Sequence, residues 1–371
     1  MKLCLWSCFV FWLQASIALA DLPSLTMEPS PGNPRNSEGS FITLKSGRIS
    51  FYYTQFYGGL EDYAPARIAV IHSDDQGRTW GQPEVFVEKG TAANVMSVSL
   101  LRLASGRIAM FYLIKQNALD CGPFMRLSTD EGKTWSEPKR VIDAPGYFVL
   151  NNDRVIQTRT GRMIVPVAFN RLKRRELDET PGTKAFNDSR GIAMWFYSDD
   201  EGLTWKEATT WWAMPFPSQR GLQEPGVVEL ADGSLFSWVR TDQGTQFEFR
   251  SSDGGINWTP PQAGKLESPL SPASIKRLPG SDSLLAIYND HSGRFKFDAG
   301  RRAPLVAAVS DDGGKSWPRR KVIEADLAGW YCYTAVHFTN DAVLLGYTAG
   351  DDKVGRLARL RIRRIELPWL P

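Results

Sequence analysis

The sequence predicts an all-β protein, a six-bladed β-propeller that occupies residues 21–371 as a single domain. Three observations lead there. An octet of the form Ser-x-Asp-x-Gly-x-Thr-Trp, with Ser or Asn also at the seventh place, starts at Ser73, Ser128, Ser198, Ser251 and Ser310. An alternating strand, a tight turn and a second apolar strand precede each octet and occur once more after the last. No stretch gives a convincing long amphipathic helix.

The octets are 55, 70, 53 and 59 residues apart, a period that signals a repeat architecture. Each reads as a hairpin connection. Ser and Asp side chains bond nearby backbone amides and hold a turn. Glycine supplies a backbone angle that other residues resist, and the tryptophan packs the turn onto the blade. Five acidic turns are therefore five structural devices and not five metal sites.

The hairpin turns are "LKSGRIS" at 44, "LASGRIA" at 103, "TRTGRMI" at 158 and "LADGSLF" at 230, with weaker forms at 278 and 338. Six hairpins thus stand against five octets, and the sixth unit runs out as "GRLARLRIRRIEL" from Gly355. Six units of about four short strands fit a ring that closes radially and leaves only short edges.

Residues 1–20 stand apart. Lys2 precedes an apolar run that ends "ALA" before Asp21, the pattern of a secretory signal cleaved after Ala20. The expected location is secreted or periplasmic, with no membrane attachment once the signal is removed. Cys121 and Cys332 then remain, and whether they pair is open. Two cysteines and three histidines argue against an ordinary zinc site, so no metal ligands are assigned. A Ser-His-Asp hydrolase lacks its G-x-S-x-G elbow. A net charge of +3 with dispersed Lys and Arg argues against a nucleic-acid partner. No dinucleotide or phosphate loop is visible, so no cofactor is expected.

In a propeller the first strand of each blade lines the central channel, so polar residues there draw attention. Blade one offers Arg35 and Glu38, and Glu61 and Asp62 in its second loop. Blade two offers Asn94; blade three Asn152, Asp153 and Arg154; blade four Gln223, Glu224 and Arg240. Blade five offers Arg301 and Arg302, and blade six Tyr331 and Tyr333.

The octets, hairpins and the segment "QEPGVVELADGSLFSWVR" resemble the sialidase (neuraminidase) superfamily of BNR-repeat, or Asp-box, propellers. The resemblance covers nearly the whole chain after residue 20. It implies a retaining exo-glycosidase with a glycan as its partner, most simply an exo-α-sialidase. The family pattern of three arginines around the substrate carboxylate falls on Arg35, Arg240 and Arg302, with Arg301 nearly as good for the third. Its tyrosine nucleophile falls on Tyr331 or Tyr333, its glutamate base on Glu224 and its acid/base on Asp62, with Glu61 as competitor. Asn94, Asp153 and Arg154 join Glu38 as further substrate-binding candidates.

Guanidinium forks bind carboxylates bidentately and stay charged. Next to a substrate carboxylate, an anionic nucleophile would be repelled, whereas a phenol activated by a glutamate is not. An aspartate that protonates the leaving oxygen needs a raised pKa, which burial would supply. One feature departs from the family: "RNSEG" puts the Glu38 carboxyl beside Arg35, where it pairs with that arginine or repels an acidic sugar. The alternatives are a glycosidase of the same fold acting on a non-sialic residue, and a non-catalytic carbohydrate-binding propeller.

Overall fold

The computed structural model describes residues 24–172, 187–296 and 300–371; the expected signal, residues 1–20, lies outside them. Apart from a 3-10 turn at Leu367–Trp369, the regular structure of the described residues is β, as the sequence leads one to expect. No helix among them is long and apolar enough to cross a membrane.

A short strand, β1 (Leu25–Met27), comes first. Next, β2 (Arg35–Thr43), β3 (Ile49–Phe56), β4 (Ala66–Ser73) and β5 (Glu84–Val87) form a four-stranded antiparallel sheet in chain order. A second meander holds β6 (Asn94–Arg102), β7 (Ile108–Lys115), β8 (Cys121–Ser128) and β9 (Lys139–Arg140). A third holds β10 (Tyr147–Val149), β11 (Ile156–Gln157), β12 (Met163–Leu172), β13 (Asn187–Ser198) and β14 (Lys206–Glu207). One parallel pairing, Tyr147 beside Cys121, joins these two into a nine-stranded sheet. Two more four-stranded sheets follow: β15 (Gln223–Glu229), β16 (Leu235–Arg240), β17 (Thr245–Ser251), β18 (Gln262–Glu267), then β19 (Ser274–Arg277), β20 (Leu284–Asn289), β21 (Leu305–Ser310), β22 (Arg319–Glu324). The last contains β23 (Trp330–Phe338), β24 (Ala342–Gly350) and β25 (Leu360–Glu366), with β1 added antiparallel at its outer edge, Leu25 opposite Ile362.

Why these strands pack is clear from their period. The middle strands are buried on both faces, so successive residues feed different cores. Tyr52 faces the second meander, whereas its neighbours Phe51 and Tyr53 face the last sheet. Leu235 and Phe236 divide in the same way between the third meander and the β19–β22 sheet. Val343 and Leu344 divide between the β19–β22 sheet and the first sheet. Hydrophobic cores therefore lie between each group of strands and the next, and one joins the last to the first.

The octets occupy the turns after β4, β8, β13, β17 and β21. In each, the serine hydroxyl bonds the aspartate and accepts the glycine amide, as in Ser198 to Asp200 at 2.8 Å and Gly202 N–H to Ser198 at 2.8 Å. Hydrogen bonds from the Thr134 and Thr204 hydroxyls and amides hold Asp130 and Asp200 down to about 2. The turn needs two left-handed residues in succession, Gln76 and Gly77 in the first octet. The sequence reading gave the glycine only a local role. In the structure the glycine also seats the turn on the neighbouring sheet: a Cβ on Gly77 would meet Leu344 at 2.6 Å.

Gly77→Ala should therefore lose roughly 2–5 kcal/mol, left-handed strain plus overpacking. Gly106→Ala, equally left-handed at φ +86 but with open space around it, should lose only roughly 1–2 kcal/mol. Chemical denaturation of both variants checks this, and equal losses would mean that the octet glycine serves its own turn alone.

Candidate active site

Inner strands β2, β6, β15 and β23 each carry an irregularity in register, between Ser37 and Ser40, Met96 and Ser99, Gln223 and Gly226, and Cys332 and Ala335. At each irregularity one non-glycine residue is left-handed: Glu38, Ser97, Glu224 and Tyr333, with φ of 53°, 59°, 50° and 56°. All four stand six residues before the first residue of their hairpin turn, at Leu44, Leu103, Leu230 and Thr339. The corresponding position before Leu278 is Pro272, whose ring forbids a positive φ, and that sheet contributes no such residue. The bulge takes a side chain out of the inter-sheet core and turns it toward the centre.

These four residues line one cavity of about 230 Å³, together with Asp62, Tyr63, Lys115, Asn151 and Arg240 among others. Its focus is Glu224. One carboxylate oxygen receives Arg240 Nη2 at 2.9 Å and the Tyr333 hydroxyl at 3.5 Å; the other receives Asn151 Nδ2 at 3.2 Å. Glu224 and Arg240, sixteen positions apart, are thus joined by a strand, a turn and a strand that return to the same point. Burial first, and then the Glu224 charge, push the Tyr333 phenol up, while Arg240 and Arg302 pull the other way. The Arg302 guanidinium lies 5.5 Å from the Tyr333 ring and donates to Cys332 Sγ at 3.1 Å.

Arg35 is fully buried against the Phe56 ring and joins two carboxylates, Asp62 at 2.7 Å and Glu38 at 3.0 Å. Its Nη1 also donates to Leu60 O at 2.9 Å. Glu38 takes the Ser97 hydroxyl on its other oxygen. Asn94 does not line the cavity; it holds the Asp62 loop by donating to the carbonyls of Asp62 and Ala64 at 2.8 and 3.1 Å.

Other expected residues lie elsewhere. Tyr331 faces the core between the last two sheets, edge-on to Tyr347 at 6.4 Å. It precedes the bulge, so its side chain keeps the strand's alternation, whereas Tyr333 sits on the bulge and escapes it. Arg301 is outside the cavity lining and pairs with Asp352 at 2.6 Å. Glu61, also outside it, accepts the Leu60 amide. Asp153 is a central tie: it accepts Lys276 Nζ and the Val336 amide, both at 2.9 Å, and the Ser40 hydroxyl at 3.2 Å. Arg154 lies 5.5 Å from the Trp238 ring, and burial pulls it down to about 10. Cys121 and Cys332 are buried free thiols, not a bridge. Among the described residues no three His, Cys, Asp or Glu gather as metal ligands.

Lining residues that the sequence reading did not single out include Ser97, Asn151, Lys115, Tyr63 and Arg220. Lys115 had a visible signal. It ends β7 opposite Asn94, much as Arg240 ends β16 opposite Gln223.

Residues 45–346 match the BNR repeat-like domain family. The chain belongs to that family. Sialidases of Micromonospora viridifaciens and Bacteroides fragilis (strain YCH46) are 25% identical over 350 residues and 23% over 340. These alignments cover 85% and 80% of this chain but 48% and 57% of the relatives, so it spans about half of their length. Among solved structures, the Hadza microbial sialidase Hz136 superposes with a TM-score of 0.71 at 19% identity, over 92% of this chain and 67% of that one. The BNR-repeat chain is thus a member of the sialidase superfamily.

In this BNR-repeat protein the two acids on Arg35 are shifted in opposite directions. Burial pushes Glu38 up from its ordinary 4.5, against the attraction of Arg35. Asp62 departs from the sequence expectation of a raised pKa. Desolvation does oppose its charge, but the Arg35 guanidinium outweighs it and holds the carboxyl below 3.8. A carboxyl raised on folding adds stability below its unfolded pKa and loses it as pH climbs through the folded value. Glu38→Gln lacks that loss, so its melting temperature should gain on the wild type as pH rises from about 4.5. Parallel melting curves across roughly pH 4–9, from the ordinary carboxyl range to above that of an α-amine, check it, and a constant gap would contradict it.

Proposed function

We propose that this chain is a six-bladed β-propeller glycoside hydrolase that removes a terminal sugar from a glycan with retention, in the manner of an exo-α-sialidase. Six cores arranged in a cycle, with β1 completing the last sheet, support the blade count. The apolar segment and small-residue site in residues 1–20 support export.

One contact carries the catalytic reading: the Tyr333 hydroxyl 3.5 Å from Glu224, inside a cavity that Asp62 also lines. Glu224 takes the phenol proton as the Tyr333 oxygen attacks the anomeric carbon, and the bond to the leaving oxygen breaks. Asp62 gives its proton to that oxygen. A water then delivers its proton to Asp62 and its hydroxide to the anomeric carbon, and the Tyr333 oxygen leaves with the proton returned by Glu224. Pairing with Arg35 keeps Asp62 ionised, so ligand entry has to draw it off the guanidinium before it carries a proton. Its side chain is 58% exposed, so the ion pair with Arg35 is what such a movement has to break. Arg240 holds Glu224 in place and stabilises its charge.

Tyr333→Phe and Glu224→Gln should each cut kcat by about 10²–10⁴ on a panel of sialosides and neutral and acidic glycosides assayed for released monosaccharide. Tyr331→Phe, a change in the inter-sheet core, should keep activity within a few-fold. Undiminished turnover in Glu224→Gln would remove the mechanism. Saturable sugar binding by wild-type protein with no product over long incubation would make the chain a carbohydrate-binding protein instead.

A further inference from the structure

The scheme above makes no use of Glu38, although this carboxyl lines the cavity. Arg35, its partner, is fully buried and lies outside the lining. A ligand at this wall therefore meets Glu38 and Asp62, and the guanidinium stands behind them. Arg302 is also outside the lining, behind the Tyr333 ring, with Nη1 given to Cys332 Sγ. Arg240 does line the cavity, and it holds Glu224.

Of the two acids on Arg35, Glu38 is the fixed one: its side chain is 4% exposed, against 58% for Asp62. Oε1 accepts Arg35 Nη2 at 3.0 Å and the Ser37 hydroxyl at 3.5 Å, and Oε2 accepts the Ser97 hydroxyl. A carboxylate offers about four acceptor directions, so about one remains, on the oxygen that Ser97 holds. A sugar hydroxyl can fill it. A ligand carboxylate brings no donor and a like charge. Pushing Glu38 aside would strip a buried carboxyl of its cation, which is costly. The rest of the lining favours neither sign, since Glu38, Asp62 and Glu224 share it with Lys115, Arg220 and Arg240.

We propose that Glu38 sets the specificity of the cavity: it bars a ligand carboxylate from Arg35 and accepts a hydroxyl instead, so the terminal sugar is a neutral one. That the ligand is a sugar rests on the glycosidase reading; that it is uncharged rests on the placement of Glu38. The roles of Tyr333, Glu224 and Asp62 are unchanged.

Matched methyl glycosides test it by calorimetric titration and by assay of released monosaccharide. The pairs are a sialoside and its methyl ester, a glucuronide and a glucoside, and a galacturonide and a galactoside, each in both anomers. Each pair keeps the ring and changes the charge. In every pair it takes up, wild-type protein should bind the neutral member about tenfold tighter or more. Glu38→Gln, which keeps the shape and removes the charge, should move that ratio about tenfold or more toward the acid. A merely structural Glu38 would weaken both members alike and leave the ratio where it was, which overturns the proposal. So does any pair without the neutral preference in wild-type protein, or no binding of any probe. If Glu38→Gln does not fold, the wild-type ratio decides alone. Glu224-dependent release of an acidic sugar would overturn the specificity and keep the glycosidase. Neutral preference without release from any probe would keep the specificity and remove the glycosidase.

Discussion

Four consecutive polar residues at the centre of the molecule, Asn151 to Arg154, bind the groups of strands to one another, and the site depends on them. Asn151 reaches Glu224. Asn152 Nδ2 donates to the carbonyls of Gly39 and Tyr333 at 2.8 and 3.1 Å, and so ties the first and last sheets. Asp153 joins Lys276, Ser40 and the Val336 amide, and Arg154 lies against Trp238. Bulged strands leave backbone groups without ladder partners, and buried groups of that kind are costly unless paired. This quartet pairs them. It thereby allows β2, β6 and β23 to turn Glu38, Ser97 and Tyr333 inward without losing the sheets around them.

Charge is distributed over that frame in an ordered way. Three acids line the cavity: Glu38, Asp62 and Glu224. Arg35 holds the first two and Arg240 the third. Arg302 stands behind the phenol, in contact with its ring and with Cys332. The same guanidinium that keeps Asp62 ionised faces a Glu38 that burial drives toward the neutral form. Two carboxyls on one arginine are thus shifted in opposite directions, because the guanidinium outweighs desolvation at Asp62 and burial outweighs the guanidinium at Glu38.

The fold was legible because its signals are local. Ser198, Asp200, Gly202 and Trp205 lie within eight residues, and their turn chemistry is the same wherever the octet occurs. Strand alternation was equally readable, since Leu235 and Phe236 need only a period of two to serve opposite cores. The site was legible in its residue types but not in its phase. Choosing between Tyr331 and Tyr333 requires knowing where β23 is irregular, and no side chain announces that. The state of Asp62 depends on Arg35, 27 residues away in the chain, so composition around "LEDYA" misleads. Lys115 reads as an ordinary solvated strand tip until β6, β7 and the Asp62 loop are folded over it. Polarity in "LNNDR" was noticed in the sequence but taken for ligand binding; for Asp153 the geometry gives it to the frame instead.

Pairing of β1 with β25 bears on how the chain is made. Ser24 bonds Ile362 across 338 positions, and Leu25 lies opposite the same residue. During synthesis the earliest strand must wait, unpartnered, until nearly everything else has emerged. Sheets built from successive hairpins can form as they appear, but the one that joins β1 to β25 has to wait for the strands between them. Tyr333 belongs to that sheet, so the phenol reaches Glu224 only once that sheet has taken its place.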